Sequence, residues 1–438
     1  MNRIGIRRED KNRWERRVPL TPAAVGTLVA DRDIPVHVQT SDNRIFSDDS
    51  YRSEGATVVD DLADAEVILA VKEIPSEELA AERTYVFFSH TIKGQPHSMP
   101  LLQRVLDVGA TLIDYEAIVG TDDRRLVHFG RFAGLAGVVD ALGYFGRRWR
   151  ALGVELPFAS LRPSFEYDSL EDALEAVAAV GAVIAEQGMP AEVGPLVIGV
   201  TGYGHVAQGA LEVLDRLPKV DVAPADVTAE FIAAASRQQV YVTVFTERDT
   251  VARMDGRPVT LEEYRNRPAD FVSTFAPAAS QLSMLVNSVL WQPSAPRLLT
   301  IDELRAMELQ GARLSFIADL SCDIRGGIEA TVRATTSDEP VFIFDPQAGT
   351  ATTGFEGPGI AILAVDNLPC EFPLEASEAF SEALAGMVPD LALADFSRPF
   401  DELDLPAPLK NAVVAHQGQL TPPFAHLAGD LHAANRDD

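Results

Sequence analysis

The chain has 438 residues, long enough for roughly two or three domains, and 47% of them are hydrophobic. Its 65 acidic residues outnumber its 37 basic ones and leave a net charge of −28. That surface repels nucleic acid phosphates and anionic lipid, so neither nucleic acid nor a membrane is expected as a partner. An anionic substrate is repelled too, unless a site gathers its own arginines and lysines. The two cysteines, Cys322 and Cys370, have neither metal-type spacing nor a disulfide framework. The start, MNRIGIRRED, is charged where a signal peptide needs apolar residues, and the runs AVAAVGAVIA and GIAILAV are too short to span a bilayer. A cytoplasmic protein without a bound metal is the expectation.

In chain order, RIGIRRE reads as a strand, and Thr21-Pro22 opens a helix over AAVGTLVA, with a cap residue followed by proline at the first helical position. IPVHVQT, TVV, AEVILAV and YVFFS read as strands, and ATLIDYE follows a helix around MPLLQRVLDVG. Strands alternating with helices predict a mostly parallel sheet. AGLAGVVDALGYFGRRWRAL has small and apolar residues at helical spacing, which suits a long helix between two domains. SLEDALEAVAAVGAVIAEQG is a second helix, with Ser169 and Asp172 placed for a capping box. Strand–helix alternation continues through QVYVTVF, FVSTFAP, QLSMLVNSVLW and LSFIADLSCD to about residue 325. After that, loop and helix are expected, with fraying over HAANRDD.

Between these lies LVIGVTGYGHVAQGA, which puts Gly202, Gly204 and Ala207 in G-x-G-x-x-A spacing after a strand and before a helix. Two glycines permit the tight turn and a close backbone approach to a pyrophosphate, and the small third residue lets helix and strand pack closely. The phosphates then meet the helix N-terminus. A plain strand–turn–helix is the blander alternative; the flanking strand and helix favour a dinucleotide. The acid for the ribose, expected about 20 residues on, is ambiguous. Asp221 and Asp226 are near, but Ala223 occupies the expected strand end. This tilts the cofactor toward NADPH over NADH.

Charged residues also arrive at strand ends. ILAVKEIP brings Lys72 and Glu73, YVFFSHTIK brings His90, and LIDYEAI brings Glu116. In an open parallel sheet the carboxyl ends of the strands are where ligands bind. Any one of these charged strand ends alone reads as solvated; three together point to a site. Arg16, Arg17, Arg124, Arg125 and Arg131 supply the guanidinium groups that receive carboxylates, while Arg147, Arg148 and Arg150 read as an exposed helix face.

IGIRREDKNRWERRVPLTP, ILAVKEIP, FFSHTIKGQ, LIDYEAI and FGRFAGLAG, continued by SVLWQPSAPRLLT, IADLSCDIRGGIE and VDNLPCEFPLEASEAF, resemble the lysine-ketoglutarate reductase family. These are the L-lysine-forming saccharopine dehydrogenases, relatives of alanine dehydrogenase and transhydrogenase. The resemblance spans nearly the whole chain. It implies an α/β fold of two Rossmann-like domains with mostly parallel sheets and an interdomain cleft. The expected domains are 1–135, a dinucleotide-binding domain at 136–325, and a return segment, 326–438, completing the first. It further implies a stand-alone reductase that condenses L-lysine with 2-oxoglutarate to saccharopine, using NADPH or NADH.

By the same resemblance Lys72 and His90 share the acid–base work, each depressing the other's pKa. Glu73 and Glu116 balance their charge or hold ammonium groups. Arg17, Gln95 and Arg125 receive carboxylates and Phe129 is a packing wall, while Lys93 reads as either an additional carboxylate contact or a solvated neighbour. Asp319 lies by nicotinamide and substrate, and Gly202, Tyr203, Gly204, His205, Val206 and Asn287 lie on the cofactor side. Alternatives are another amino-acid or opine-type dehydrogenase, or a catalytically inactive nucleotide-binding regulator. Formation of a homo-oligomer is left open.

Overall fold

The computed structural model describes residues 1–122 and 124–434; of the stretch expected to fray, residues 435–438 lie outside the described residues. The chain divides into two units, Met1–Phe129 with Pro373–Asp438, and Gly130–Phe372. Among the described residues each unit is built on an eight-stranded sheet.

In the first unit the strands Thr111–Asp114, Thr84–Phe87, Val67–Leu69, Ile4–Ile6, Val36–Gln39 and Thr57–Val59 lie side by side, all parallel. The central ones are short apolar runs buried along their whole length, as a sheet covered on both faces demands. The helix Pro22–Arg32 starts where expected: Thr21 Oγ1 accepts the Ala24 N–H at 3.3 Å, and Asp33 ends it in the left-handed conformation. The returning segment closes this unit. Strand Val413–His416 pairs antiparallel with Thr111–Asp114, and Ser377 and Ser381 accept the N–H groups of Val18 and Thr21, each at 3.0 Å.

The second unit begins with the long helix Gly130–Ala151, and its small residues are explained by helix His205–Leu214. A Cβ on Gly134 would lie 2.0 Å from the Val206 carbonyl oxygen, and one on Gly209 would lie 2.0 Å from that of Arg131. The sheet order is Thr350–Thr353, Val341–Asp345, Ile360–Leu363, Phe316–Asp319, Met284–Asn287, Leu196–Thr201, Val240–Phe245, Lys219–Asp221. Its first three members fall in the stretch expected to return to the first domain. They belong instead to the second unit, which runs to Phe372, because Ile360–Leu363 pairs in parallel with Phe316–Asp319 and buries Phe342 and Ile362 in that core. The capping box at Ser169 is half made: Ser169 Oγ accepts the Asp172 N–H at 3.1 Å. Arg148 is not an exposed residue. It is 3% accessible and donates to the carbonyls of Phe355, Gly357 and Gly359.

A buried carboxyl pair joins the same helix to the turn Leu368–Glu371. Asp140 and Glu371 are 1% and 2% exposed, their carboxyl groups are within hydrogen-bonding reach of each other, and Asp140 Oδ2 and Glu371 Oε2 have no donor from another residue. Two acceptors in contact are satisfied only by a proton carried on one of them. Burial raises both pKa values, and the Asp140 charge raises that of Glu371 further. The folded chain therefore binds a proton that the unfolded chain releases. Its contribution to stability is full below the ordinary carboxylate range and is lost as pH rises through the folded pKa. Glu371→Gln, which keeps a donor toward Asp140, is expected to flatten this decline. Melting temperatures between about pH 5 and pH 9 check it, and an unchanged slope in the variant would refute the shared proton.

Candidate active site

In the first unit the apolar strand Thr84–Phe87 hands the chain to a turn in which His90 takes a positive φ of 55°. Histidine tolerates that region better than most residues, but it still needs support. Asp114, at the end of the neighbouring strand, supplies it by accepting the Ser89 N–H at 3.1 Å and the Ser89 hydroxyl, while Ser89 Oγ and Thr91 Oγ1 are 2.7 Å apart. Burial pushes the Asp114 carboxyl up to about 6. So held, His90 places Nδ1 2.5 Å from Glu73 Oε1, and Lys11 Nζ lies 3.3 Å from Glu73 Oε2. Burial works against the Glu73 carboxylate, but the His90 hydrogen bond and charge, followed by Lys11, hold its pKa down to about 2.

Lys72 follows strand Val67–Leu69, and its backbone is fixed by Glu9, which accepts the N–H groups of Val71 at 2.6 Å and Lys72 at 3.0 Å. Burial, then Glu15, pushes the Glu9 carboxyl up to about 7. The Lys72 pKa is lowered by burial, then by the charges of Arg17 and Lys11, with Glu15 and Glu73 opposing. His90 is paired with Glu73, and burial with two other cations acts on Lys72. Among the described residues Lys72 Nζ has no hydrogen-bond or ion-pair partner.

Arg17 is 2% exposed and makes a two-pronged pair with the buried Glu15, at 2.7 and 2.6 Å. Its guanidinium lies 4.2 Å over the Phe129 ring, which stacks at 4.4 Å on Phe380. Phe129 is thus a wall, as expected, and Arg17 is held by an acid the sequence reading did not single out. Arg125, half exposed, donates to the buried Glu116, with Lys93 Nζ 3.8 Å from the same carboxylate. Gln95 is exposed, and among the described residues no hydrogen bond joins its side chain to this cluster. Of the other arginines, Arg16 donates to the Asn43 carbonyl, Arg124 lies 3.6 Å from Asp122, and Arg131 pairs with Glu212 within the second unit.

In the second unit strand Leu196–Thr201 runs into Gly202, whose φ of +90° suits glycine alone. A Cβ on Gly204 would meet nothing within 4 Å, so the turn is open above the start of helix His205–Leu214. Ala207 is fully buried against the sheet. This backbone, at the N-terminal end of a helix, fits a pyrophosphate. Gly202, Tyr203 and Gly204 line a cavity of about 370 Å³ with Thr246, Glu247, Tyr264, Arg265 and Ser288. His205 is exposed and Val206 half-buried. Asn287 and Asp319 are 0% and 1% exposed and bond to each other at 2.9 Å, with Thr201, Ser321 and Thr331 completing the network. Burial raises the Asp319 pKa. These two residues brace the ends of adjacent strands rather than present a bare carboxylate.

The parallel sheet, with a glycine turn at the carboxyl end of a central strand, defines an α/β protein of the dinucleotide-binding class. Residues 5–136 match the family description "Alanine dehydrogenase/PNT, N-terminal domain", and residues 177–423 match "Alanine dehydrogenase/PNT, C-terminal domain". The chain belongs to the alanine dehydrogenase/PNT family. It is 38% identical over 442 residues to the alpha-aminoadipic semialdehyde synthase of Arabidopsis thaliana, covering 97% of this chain and 41% of that protein. The chain thus spans less than half the length of that relative. The saccharopine dehydrogenase (NAD(+), L-lysine-forming) of Neurospora crassa is 27% identical, with 87% of this chain and 89% of that protein covered. A solved L-alanine dehydrogenase shares the fold, with a TM-score of 0.60 at 19% identity, covering 98% of this chain and 99% of the other. The relatives' names bear out the resemblance read from the motifs.

Proposed function

We propose that the chain is an NAD(P)H-dependent oxidoreductase that reversibly condenses L-lysine with 2-oxoglutarate to saccharopine. The observation that carries this reading is the cluster of Lys72, Glu73 and His90. A half-buried lysine with a lowered pKa takes a proton from the substrate ammonium, so that a neutral amine attacks the keto carbon. Glu73 orients His90 through Nδ1, leaving Nε2 to protonate the departing oxygen as water forms. Arg125, half exposed on Glu116, receives a substrate carboxylate, and Arg17 supports the same function through the positive field it shares with Lys72. The nicotinamide, when bound, supplies the hydride that reduces the imine; the Gly202–Ala207 turn holds its pyrophosphate.

Neither Cys322 nor Cys370 is in a disulfide, which suits the cytoplasm as the proposed compartment. Among the described residues no helix is long and apolar enough to cross a membrane. The test is reduced-nucleotide consumption with L-lysine plus 2-oxoglutarate, set beside pyruvate plus ammonia. Turnover confined to the lysine pair is the expected result. Turnover confined to pyruvate and ammonia would reassign the chain to a dehydrogenase of smaller amino acids.

A further inference from the structure

The strand next to the glycine turn is not the one that follows it in sequence. After helix His205–Leu214 the chain forms Lys219–Asp221, which lies at the sheet edge, and the position beside Leu196–Thr201 is taken by Val240–Phe245. Six residue pairs join these two strands, ending at Thr201 opposite Phe245, and the Gly202 N–H donates to the Phe245 carbonyl at 2.9 Å. Ala223, just beyond the edge strand, is therefore one strand removed from the turn. The residues at the neighbouring strand's carboxyl end are Thr246 and Glu247.

We propose that Glu247 is the specificity-determining residue for the cofactor's ribose and selects NAD(H) over NADP(H). This rests on the dinucleotide reading of the glycine turn. Glu247 is half-buried, lines the same cavity as Gly202 and Gly204, and accepts a hydrogen bond from Tyr203 Oη at 3.3 Å across the mouth of the turn. Among the described residues it has no ion-pair partner, so its charge is not cancelled by a fixed cation. In dinucleotide folds an acid at the end of the strand beside the glycine turn accepts the ribose hydroxyls. The same carboxylate repels a 2′-phosphate by like charge and has no proton to offer it. Among the described residues Arg265 is the one cation lining this cavity; it is exposed, where solvent and salt screen it. The acid is half-buried and bonded to Tyr203 of the turn, and its effect prevails.

Direct binding decides the matter without any substrate. NADH and NADPH are titrated against the full chain by nucleotide fluorescence, with 5′-AMP and 2′-phospho-AMP as non-reducible competitors. The wild type is expected to bind NADH at least tenfold more tightly than NADPH, and AMP more tightly than its 2′-phosphate. Glu247→Ser is expected to bring each ratio near one, chiefly through better binding of the phosphorylated member, with the melting temperature confirming a folded variant. Tighter NADPH binding by the wild type, or an unchanged ratio in folded Glu247→Ser, overturns the assignment. A folded wild type that binds neither nucleotide overturns the dinucleotide reading as well.

Discussion

Replacing Lys72 by methionine is expected to lower turnover of L-lysine and 2-oxoglutarate by roughly 10²–10⁴-fold, the range lost with a positioned acid–base group. Methionine keeps the length and apolar stem of lysine, and Glu9 holds only the backbone of this residue, so the fold should persist. Nucleotide binding belongs to another unit of the chain and should be unchanged. Burial and neighbouring cations lower the Lys72 pKa, so the wild-type rate should rise with pH through a transition below that of an ordinary lysine, and this transition should vanish from the residual activity. His90→Ala should cost a comparable factor. Unchanged turnover in either folded variant would remove that residue from the mechanism.

The largest effect on stability is expected at Gly209. A valine there drives Cβ toward the Arg131 carbonyl oxygen, 2.0 Å from an ideal Cβ, and the neighbouring N–H of Leu135 is 3.0 Å away. Both obstacles are backbone within helix Gly130–Ala151, so neither can rotate aside, and the two helices must separate. A loss of about 3–5 kcal/mol, or roughly 10 °C in melting temperature, is the expected scale. Gly204→Ala serves as the contrast, since its Cβ meets nothing within 4 Å and its φ of −77° is ordinary. That variant should melt near the wild type, with any loss confined to nucleotide binding. Equal melting temperatures for Gly209→Val and the wild type would mean that the helix seam is not as close as described.

What could be read in the sequence followed from local contrast. The run Tyr85–Phe88 is apolar and then stops at Ser89 and His90, so the strand and the candidate residue beyond it were both visible. The same contrast exposed Lys72 and Glu116. Glu9 and Glu15 gave no such signal, because they stand in a polar loop and act on partners that only the folded sheet brings near, Lys72 and Arg17. The ribose acid stayed ambiguous in the sequence for a related reason. A spacing of about 20 residues assumes that the next strand in sequence is also the next in the sheet, and here Val240–Phe245 takes that place. The boundary near 325 failed because Val341–Asp345 and Ile360–Leu363 are ordinary buried strands whose allegiance to one sheet or the other leaves no mark in their composition.

The first unit is assembled from two stretches separated by the whole of the second. A ribosome makes Met1–Phe129, then the complete 130–372 unit, and only then the segment carrying Val413–His416. The middle unit is contiguous and can mature on emergence. The leading one must wait, with the edge of Thr111–Asp114 unpaired and the Phe129 ring lacking Phe380 to stack on. During that interval the nascent chain carries an open strand edge prone to self-pairing. A release or stall near residue 372 would leave a mature middle unit joined to an unfinished one, so chaperone demand should persist until Val413–His416 has emerged.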